Sequence, residues 1–331
     1  MSERTARLAI VILTLCCVWW GFSFPAMQIG AASVDRVVLN GRQAHQPMRT
    51  RLAIRGRYNG WRFGIAGLIC LGLAGSGGGR YRRQDVVGGV LIGFFFGAGM
   101  LLQICGLQYT LPSVSSFLTA LSVVFTPLAQ ALVFRKPVSG RVWLAVALAT
   151  AGMIVLSRGN PLANASNTIA LIPPVAYLGQ AMTILGAMFF TAQILCVDRF
   201  GQTADPAKLT AIMLLTSGAM NFLIGTVAGG ELLNRVQVIA TLGRDFTFLW
   251  TFAGLVLLSS VLTMQLMNTW QPRISPATAA VVYCLEPVFG TLFSVAFRTE
   301  RLTIVTLAGG FMILVAVLTI VRKPEEVHIT T

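Results

Sequence analysis

A single acidic residue, Glu286, lies near the middle of an apolar run that extends from residue 276 to 297. A charged side chain at the centre of a bilayer costs about 3 kcal/mol on insertion scales, so these surroundings favour the neutral carboxyl. Pro287 follows directly and removes a backbone donor, and Tyr283 precedes Glu286 by one helical turn. A carboxyl in such surroundings can take up and release protons. The alternative is a structural Glu286 that ties two helices together.

Other polar and aromatic side chains inside apolar runs could line a solute cavity. Amides hydrogen-bond to carboxylates and amines, and aromatic faces can hold cations. Helix–helix packing is the alternative role for each of them. The candidates for the substrate or coupling-ion site are Trp20, Ser23, Phe24, Gln103, Gln193, Asn221, Gln265 and Asn268.

A stripe of small residues marks one run, where Gly89, Gly93 and Gly97 recur at every fourth position. This spacing lets two helices approach closely. It favours simple packing, with a part in rocking motions as the alternative. Together with Pro127 and Pro287, these glycines are candidate packing and hinge positions.

The elements that carry these residues are long apolar runs. The chain is 55% hydrophobic and 11% charged, whereas a soluble domain carries about 25% charged residues. Runs of about 20 apolar residues are what bilayer-crossing helices require. The pattern predicts an all-α membrane protein of about ten transmembrane helices, at 8–29, 61–78, 86–109, 112–134, 142–157, 175–198, 208–229, 247–269, 276–297 and 302–321.

The net charge of +14 comes from Arg and Lys residues that lie mostly between the runs. That placement is typical of topology signals and of loops that contact anionic lipid, and no motif indicates a nucleic-acid partner. With the N-terminus inside, the inner loops hold 13 Arg and Lys residues and the outer loops 5, if residues 30–62 are left out. This predicts an inner (plasma) membrane protein of the bacterial type with both termini cytoplasmic.

The segment 30–62 does not fit this count. Its seven arginines bring the comparison to 13 against 12, which by itself decides nothing. We expect an expanded basic loop at about 31–60, either mobile or forming an interfacial basic helix.

An internal repeat relates two halves of the chain. Pro112 to Leu128 aligns without a gap to Pro272 to Val288 at an offset of 160 residues. Each half holds five predicted helices, and an odd number makes the second half enter the membrane upside down. Such inverted repeats are common in transporters, with the substrate site near the bilayer midplane. The predicted divisions are a first repeat at 1–158, a second at 173–322 and a cytoplasmic tail at 323–331.

Three stretches carry a family resemblance: Trp20-Gly21-Phe22-Ser23-Phe24, Trp61-Arg62-Phe63, and Leu285-Glu286-Pro287-Val288-Phe289 with the later Glu300-Arg301-Leu302 and Gly309-Gly310. They resemble the WGxxF, RF and LEPVF…ERL…G patterns of the drug/metabolite transporter superfamily, in its ten-helix EamA branch. The resemblance implies secondary transport of small metabolites, often amino acids or related compounds, and often export. The first half departs from it, because Arg135-Lys136-Pro137-Val138 stands where ERL is expected.

The residues therefore favour a secondary transporter, with a non-transporting membrane scaffold or sensor as the alternative. An intramembrane enzyme is disfavoured because Glu286 stands alone, without the paired groups or metal cluster that such chemistry needs. We expect no catalytic residues, no cofactor and no metal site, since the six cysteines lack metal-ligand spacing. The expected partners are a small-molecule substrate and anionic lipids at the basic loops, and a homodimer is left open.

Overall fold

The computed structural model describes residues 3–39, 47–76, 79–107, 109, 112–135, 137–158, 173–229, 236–297 and 301–321. Regular structure within these ranges is helical. The first half contains α1 (Glu3–Leu39), α2 (Met48–Ser76), α3 (Arg83–Gly106), α4 (Pro112–Thr119), α5 (Ser122–Leu132) and α6 (Gly140–Arg158). The second half contains α7 (Pro173–Gly201), α8 (Pro206–Val227), α9 (Val236–Leu242), α10 (Phe246–Gly254), a π-helix (Leu255–Leu262), α11 (Thr263–Trp270), a 3₁₀ turn (Gln271–Arg273), α12 (Pro276–Tyr283), α13 (Leu285–Ala296) and α14 (Ile304–Val321).

These helices form ten spans in the part of the chain that is described, because α4 with α5, α10 with α11, and α12 with α13 run on from one another. Seven spans are long and apolar enough to cross a membrane. Two more are shorter apolar helices, at 117–132 and 140–156. The remaining span is α2, which is long but carries several arginines. The fold is therefore an all-α membrane protein.

The packing of the spans repeats between the two halves. The second span, α2, packs mainly on the seventh, α8, and the fifth, α6, packs on the tenth, α14. The third span (α3) contacts the sixth (α7), and in the same way the eighth span (α10) contacts the first (α1). Each contact has a counterpart five spans along the chain, as a two-repeat architecture requires. Since each repeat has five spans, the second crosses in the opposite sense.

The basic segment 31–60 is helical at 31–39 and 48–60, where the sequence leaves open a mobile loop or an interfacial basic helix. Helix α1 continues to Leu39 and α2 already begins at Met48, so a loop is not what these two stretches form, while residues 40–46 lie outside the described residues. The second span begins well before residue 61. Arg55 and Arg57 on α2 are 7% and 2% exposed, because neighbouring helices cover this stretch. A hydropathy analysis assigns an arginine-rich stretch to a loop, whereas in the structure neighbouring helices bury these arginines.

Close packing on α8 explains why α2 can bury that polar stretch. A Cβ atom added to Gly60 would lie 2.8 Å from the Cα atom of Phe222, which is closer than real Cβ atoms come. The glycine therefore lets the two backbones meet. Arg57 lies over the ring of the same Phe222, with its guanidinium carbon 4.1 Å from the ring centroid.

The predicted spans 112–134 and 276–297 are also not continuous helices. The first breaks between α4 and α5, at Ala120 and Leu121, and the second breaks between α12 and α13, at Cys284. Pro287 has no N–H, so the carbonyl of Tyr283 lacks its usual helical donor. Pro127 has the same effect inside α5. The second break lies directly beside Glu286.

The glycine stripe on α3 is a packing surface for α8. A Cβ on Gly93 would collide with the carbonyl oxygen of Met213, and one on Gly89 would lie 2.6 Å from the Cβ of Ile212. Ser217 on α8 donates to the Gly93 carbonyl at 2.7 Å. Close approach thus exposes α3 carbonyls to polar groups of α8, and Gly97 extends the same contact.

The division of the chain into repeats stays a prediction at its edges. Helix α6 ends at Arg158 and α7 begins at Pro173, while residues 159–172 and the predicted tail 323–331 lie outside the described residues.

Candidate functional site

A cavity lies between the two halves, and its walls come from the first four spans and from the sixth, eighth and ninth. Its volume is about 90 Å³. A cavity needs only about 10–15 Å³ on this measure to admit one water molecule, so this one is several times larger than that minimum. The space therefore suits a small solute.

Glu286 lies at the cavity wall in the first turn of α13, with Cys284 and Pro287 beside it. It is the acidic member of this wall, and part of its surface remains accessible. Within the described residues, no hydrogen bond or ion pair engages its carboxyl. The break before α13 thus presents a carboxyl to the cavity without fixing it to a neighbouring helix.

An aromatic pair and a chain of hydrogen bonds hold the wall next to Glu286. The rings of Trp20 and Tyr283 meet edge to face with centroids 5.2 Å apart. The Tyr283 hydroxyl donates to Oε1 of Gln271 at 2.8 Å, and Nε2 of Gln271 donates to the carbonyl of Ile194 at 2.8 Å. The ninth span is thereby tied to α1 and α7. These contacts fix the ring of Tyr283 one turn before the carboxyl.

The remaining predicted wall residues differ in how firmly they are held. Ser23 donates to the carbonyl of Trp20 at 2.7 Å, and Nε2 of Gln103 donates to the hydroxyl of Thr119 at 3.0 Å. Within the described residues, Nε2 of Gln193 donates only to the Met267 sulfur, at 3.5 Å, and a thioether is a weak acceptor. Gln193 is therefore the wall amide best able to turn towards a solute.

The structure brings most of the predicted site residues together at one cavity: Trp20, Ser23, Phe24, Gln103, Gln193, Tyr283, Glu286 and Pro287. Their part in solute binding stays a prediction.

Three other predicted residues, Asn221, Gln265 and Asn268, are not part of this wall, and their part in solute binding stays a prediction. Asn221 donates to the carbonyls of Gly97, at 3.2 Å, and Ser217, at 2.9 Å. Asn268 donates to the hydroxyl of Thr210 at 2.9 Å. Gln265 is half-buried elsewhere on α11. The sequence places an amide on a helix but does not show which face of the helix it occupies. In the structure, Asn221 and Asn268 form hydrogen bonds between helices.

Arg62 is the charged wall residue that the sequence prediction did not include. It is 1% exposed, and it donates from Nε to the Ser260 hydroxyl at 3.0 Å and from Nη2 to the Ser259 hydroxyl at 2.9 Å. Nη1 contacts the Met27 sulfur at 3.3 Å. The sequence prediction placed Arg62 at the membrane edge, because the second span was expected to begin at residue 61. In the structure it lies mid-way along α2. A buried charge within a span is itself a functional signal.

Comparison with known proteins identifies the family. Residues 56–158 and 177–322 match the EamA-like transporter family, one segment in each half of the bundle. The chain belongs to the EamA-like transporter family. This EamA-like chain is also 27% identical over 323 residues to an uncharacterized transporter of Archaeoglobus fulgidus, a match that covers 96% of the chain and 87% of the relative.

A solved crystal structure of a protein shares the fold of this EamA-like chain, with a TM-score of 0.63 and 14% sequence identity over 97% of both chains. Identity this low shows the fold alone. The family and the archaeal relative make the chain an integral membrane transporter with a small-molecule substrate, and they point away from an enzyme.

Proposed function

We propose that the chain is a secondary transporter that exports a small metabolite, an amino acid or a related compound, by alternating access, and that Glu286 couples this movement to protons. The observation that carries the proposal is the place of Glu286 on the wall of a cavity between the halves, beside a break in its own span. A cavity at the interface of two repeats is where alternating access needs its binding site.

A comparison of the two repeats favours a coupling role for Glu286 over a structural one. The offset of 160 residues pairs Ala120 with Ala280, and both line the cavity. The same offset pairs Glu286 with Thr126, which is buried with no partner for its hydroxyl in the described part. Both broken spans keep their proline, but only one carries an acid. The break therefore does not need a carboxyl, which favours a separate task for Glu286.

The physical basis of coupling is the cost of an ionised carboxyl in an apolar cavity. While Glu286 is charged, a cavity open to water is favoured, because closing it removes water from the charge. Protonation removes that cost and permits closure. A proton taken up on one side and released on the other would thus drive the exchange between the two open states. The breaks at Ala120 and Cys284 and the π-helix are the local departures from regular helix that this motion can use.

The experiment is a screen in proteoliposomes that contain the full chain and a pH-sensitive dye in their lumen, with uptake of labelled solute measured alongside the dye signal. The common amino acids and small organic acids are added one at a time, with and without an imposed pH gradient. We expect at least one solute to move protons in protein-containing vesicles and not in empty ones. A scaffold or sensor would give no solute flux under either condition. Solute flux without proton movement would remove the coupling and leave the transporter.

A further inference from the structure

We infer that Arg62, held by Ser259 and Ser260, forms a carboxylate-binding subsite in the cavity. The inference deepens the proposed function and rests on it for the role of the cavity as a solute path. It assigns to the substrate a single carboxylate group, which Arg62 recognises.

The first step is the unbalanced charge of Arg62. Its contacts within the described residues are two hydroxyls, a thioether and the ring of Phe63, whose centroid lies 4.9 Å from the guanidinium carbon, and all of these groups are neutral. No ion pair within the described residues includes Arg62. A buried cation normally has an anionic partner, because removing the charge from water is costly. A bound anion would supply that partner.

The second step is the hydrogen-bonding capacity that remains. A guanidinium has five N–H groups, and three take part in the contacts within the described residues. The contacts leave one N–H on Nη1 and one on Nη2. Two N–H groups on the two terminal nitrogens match the two oxygens of a carboxylate in a bidentate pair.

The third step is the way in which the serines are placed. Ser259 and Ser260 lie in the π-helix of the eighth span, and Ser260 donates to the carbonyl of Leu255, five residues earlier, at 2.9 Å. Its oxygen is thereby left to accept from Arg62. The wide turn lets two adjacent hydroxyls hold one guanidinium. Short π-helical segments of this kind are frequent at functional sites.

The fourth step is the number of charges. Arg62 is the one basic residue among the described residues of the cavity wall. A single cation suits one carboxylate, whereas a phosphate dianion would call for a second. Much of the remaining wall is apolar, including Phe96, Met100, Phe190 and Met264. The subsite therefore fits a small monocarboxylate with an apolar body.

Glu286 does not take the place of that carboxylate. Arg62 meets α1 at Met27, whereas Tyr283, one turn before Glu286, meets α1 at Trp20. These two positions are seven residues apart, which is about 10 Å along a helix axis. The cavity thus keeps an anion subsite and a proton-carrying group at different depths.

The test measures binding, not transport. Purified full-length protein in detergent at pH 7 is titrated with matched pairs of acid and primary amide: acetate and acetamide, isovalerate and isovaleramide, phenylacetate and phenylacetamide. Thermal stabilisation is the readout. We expect at least one acid to bind about tenfold or more tightly than its amide. Arg62→Met should weaken that acid by about 10- to 100-fold, the range of a charge-assisted contact. Arg62→Lys keeps the charge but loses the bidentate guanidinium, so its affinity for the acid should lie between those of the wild type and Arg62→Met.

Arg57→Met is the matched control. Arg57 is a second buried arginine of the same helix, and it contacts the ring of Phe222 outside the cavity wall. This variant should keep the preference for the acid. Ser259→Ala with Ser260→Ala should weaken acid binding while Arg62 is intact. If Arg62→Met does not fold, the loss of acid affinity in Arg62→Lys serves as the test of the subsite.

Three outcomes would overturn the inference. They are a panel in which no acid stabilises the protein more than its amide, acid binding that survives in Arg62→Met, and stabilisation by inorganic phosphate alone. Acid binding through Arg62 without any proton flux in vesicles would instead sink the proposed function and leave the subsite standing.

Discussion

Asp85 bridges the two halves of the transporter at one end of the bundle. Its side chain is fully buried and accepts from the backbone N–H of Arg82 at 2.8 Å and from that of Asp205 at 3.0 Å. The first bond caps α3, and the second crosses to the residue that caps α8. We predict that Asp85→Ala opens this junction locally while the rest of the bundle stays folded.

The magnitude follows from these two bonds. A hydrogen bond to a charged acceptor contributes about 1.5–3 kcal/mol, so both together give an upper range of about 3–6 kcal/mol. Arg82 is exposed and Asp205 is half-buried, so water can replace part of the lost hydrogen bonding. The ion pair from Arg82 to Asp85, at 3.7 Å with the Arg82 side chain 58% exposed, adds little. The expected loss is therefore about 2–4 kcal/mol.

Hydrogen–deuterium exchange with mass spectrometry measures this opening directly. A loss of that size should speed exchange of the amides in 82–86 and 203–208 by roughly 30- to 700-fold. Asp85→Asn, which keeps a neutral acceptor, should show a smaller increase. Peptides of α14, far from the junction in sequence, serve as the internal reference. Unchanged exchange in Asp85→Ala would refute the assignment of this carboxylate as the bridge between the halves.

Two further predictions concern packing and topology. Gly93→Leu places a side chain against the Met213 carbonyl and should destabilise the fold by about 1–3 kcal/mol, which would lower the yield of monodisperse protein. Gly64→Leu is the control, because a Cβ there meets open space and the yield should stay near that of the wild type. Equal yields of the two variants would refute the close contact of α3 and α8. Reporter fusions after Arg83, after Arg141 and at the C-terminus should all report cytoplasm, and a periplasmic report from the C-terminus would overturn the even number of spans.

The apolar runs predict most of the spans because a bilayer imposes length and hydropathy together. The repeat is readable for a similar reason, since Pro127 and Pro287 mark equivalent breaks at a constant offset. Glu286 could be singled out because an acid in the middle of an apolar run is costly and therefore rare.

Arg62 could not be identified as a buried charge in the same way, because the arginines that precede it lower the hydropathy of the whole stretch. Several arginines precede it, and a hydropathy reading treats them together as a loop. Their burial depends on α8, which is more than a hundred residues away in sequence. The same limit applies to Asn221 and Asn268, whose faces are set by partners on other helices. Likewise, no sequence pattern predicts the π-helix that positions Ser259.

The measurement that tests the account most directly is uphill transport by Glu286→Gln. This change keeps size and hydrogen bonding but cannot release a proton. In vesicles with a verified pH gradient, a solute found by the screen should no longer accumulate above equilibrium, while exchange of labelled for unlabelled solute continues. Glu286→Asp and Thr126→Val should both keep uphill transport, since one retains a titrating carboxyl and the other alters the equivalent position of the first repeat. Uphill accumulation by Glu286→Gln at the wild-type level would contradict the coupling role.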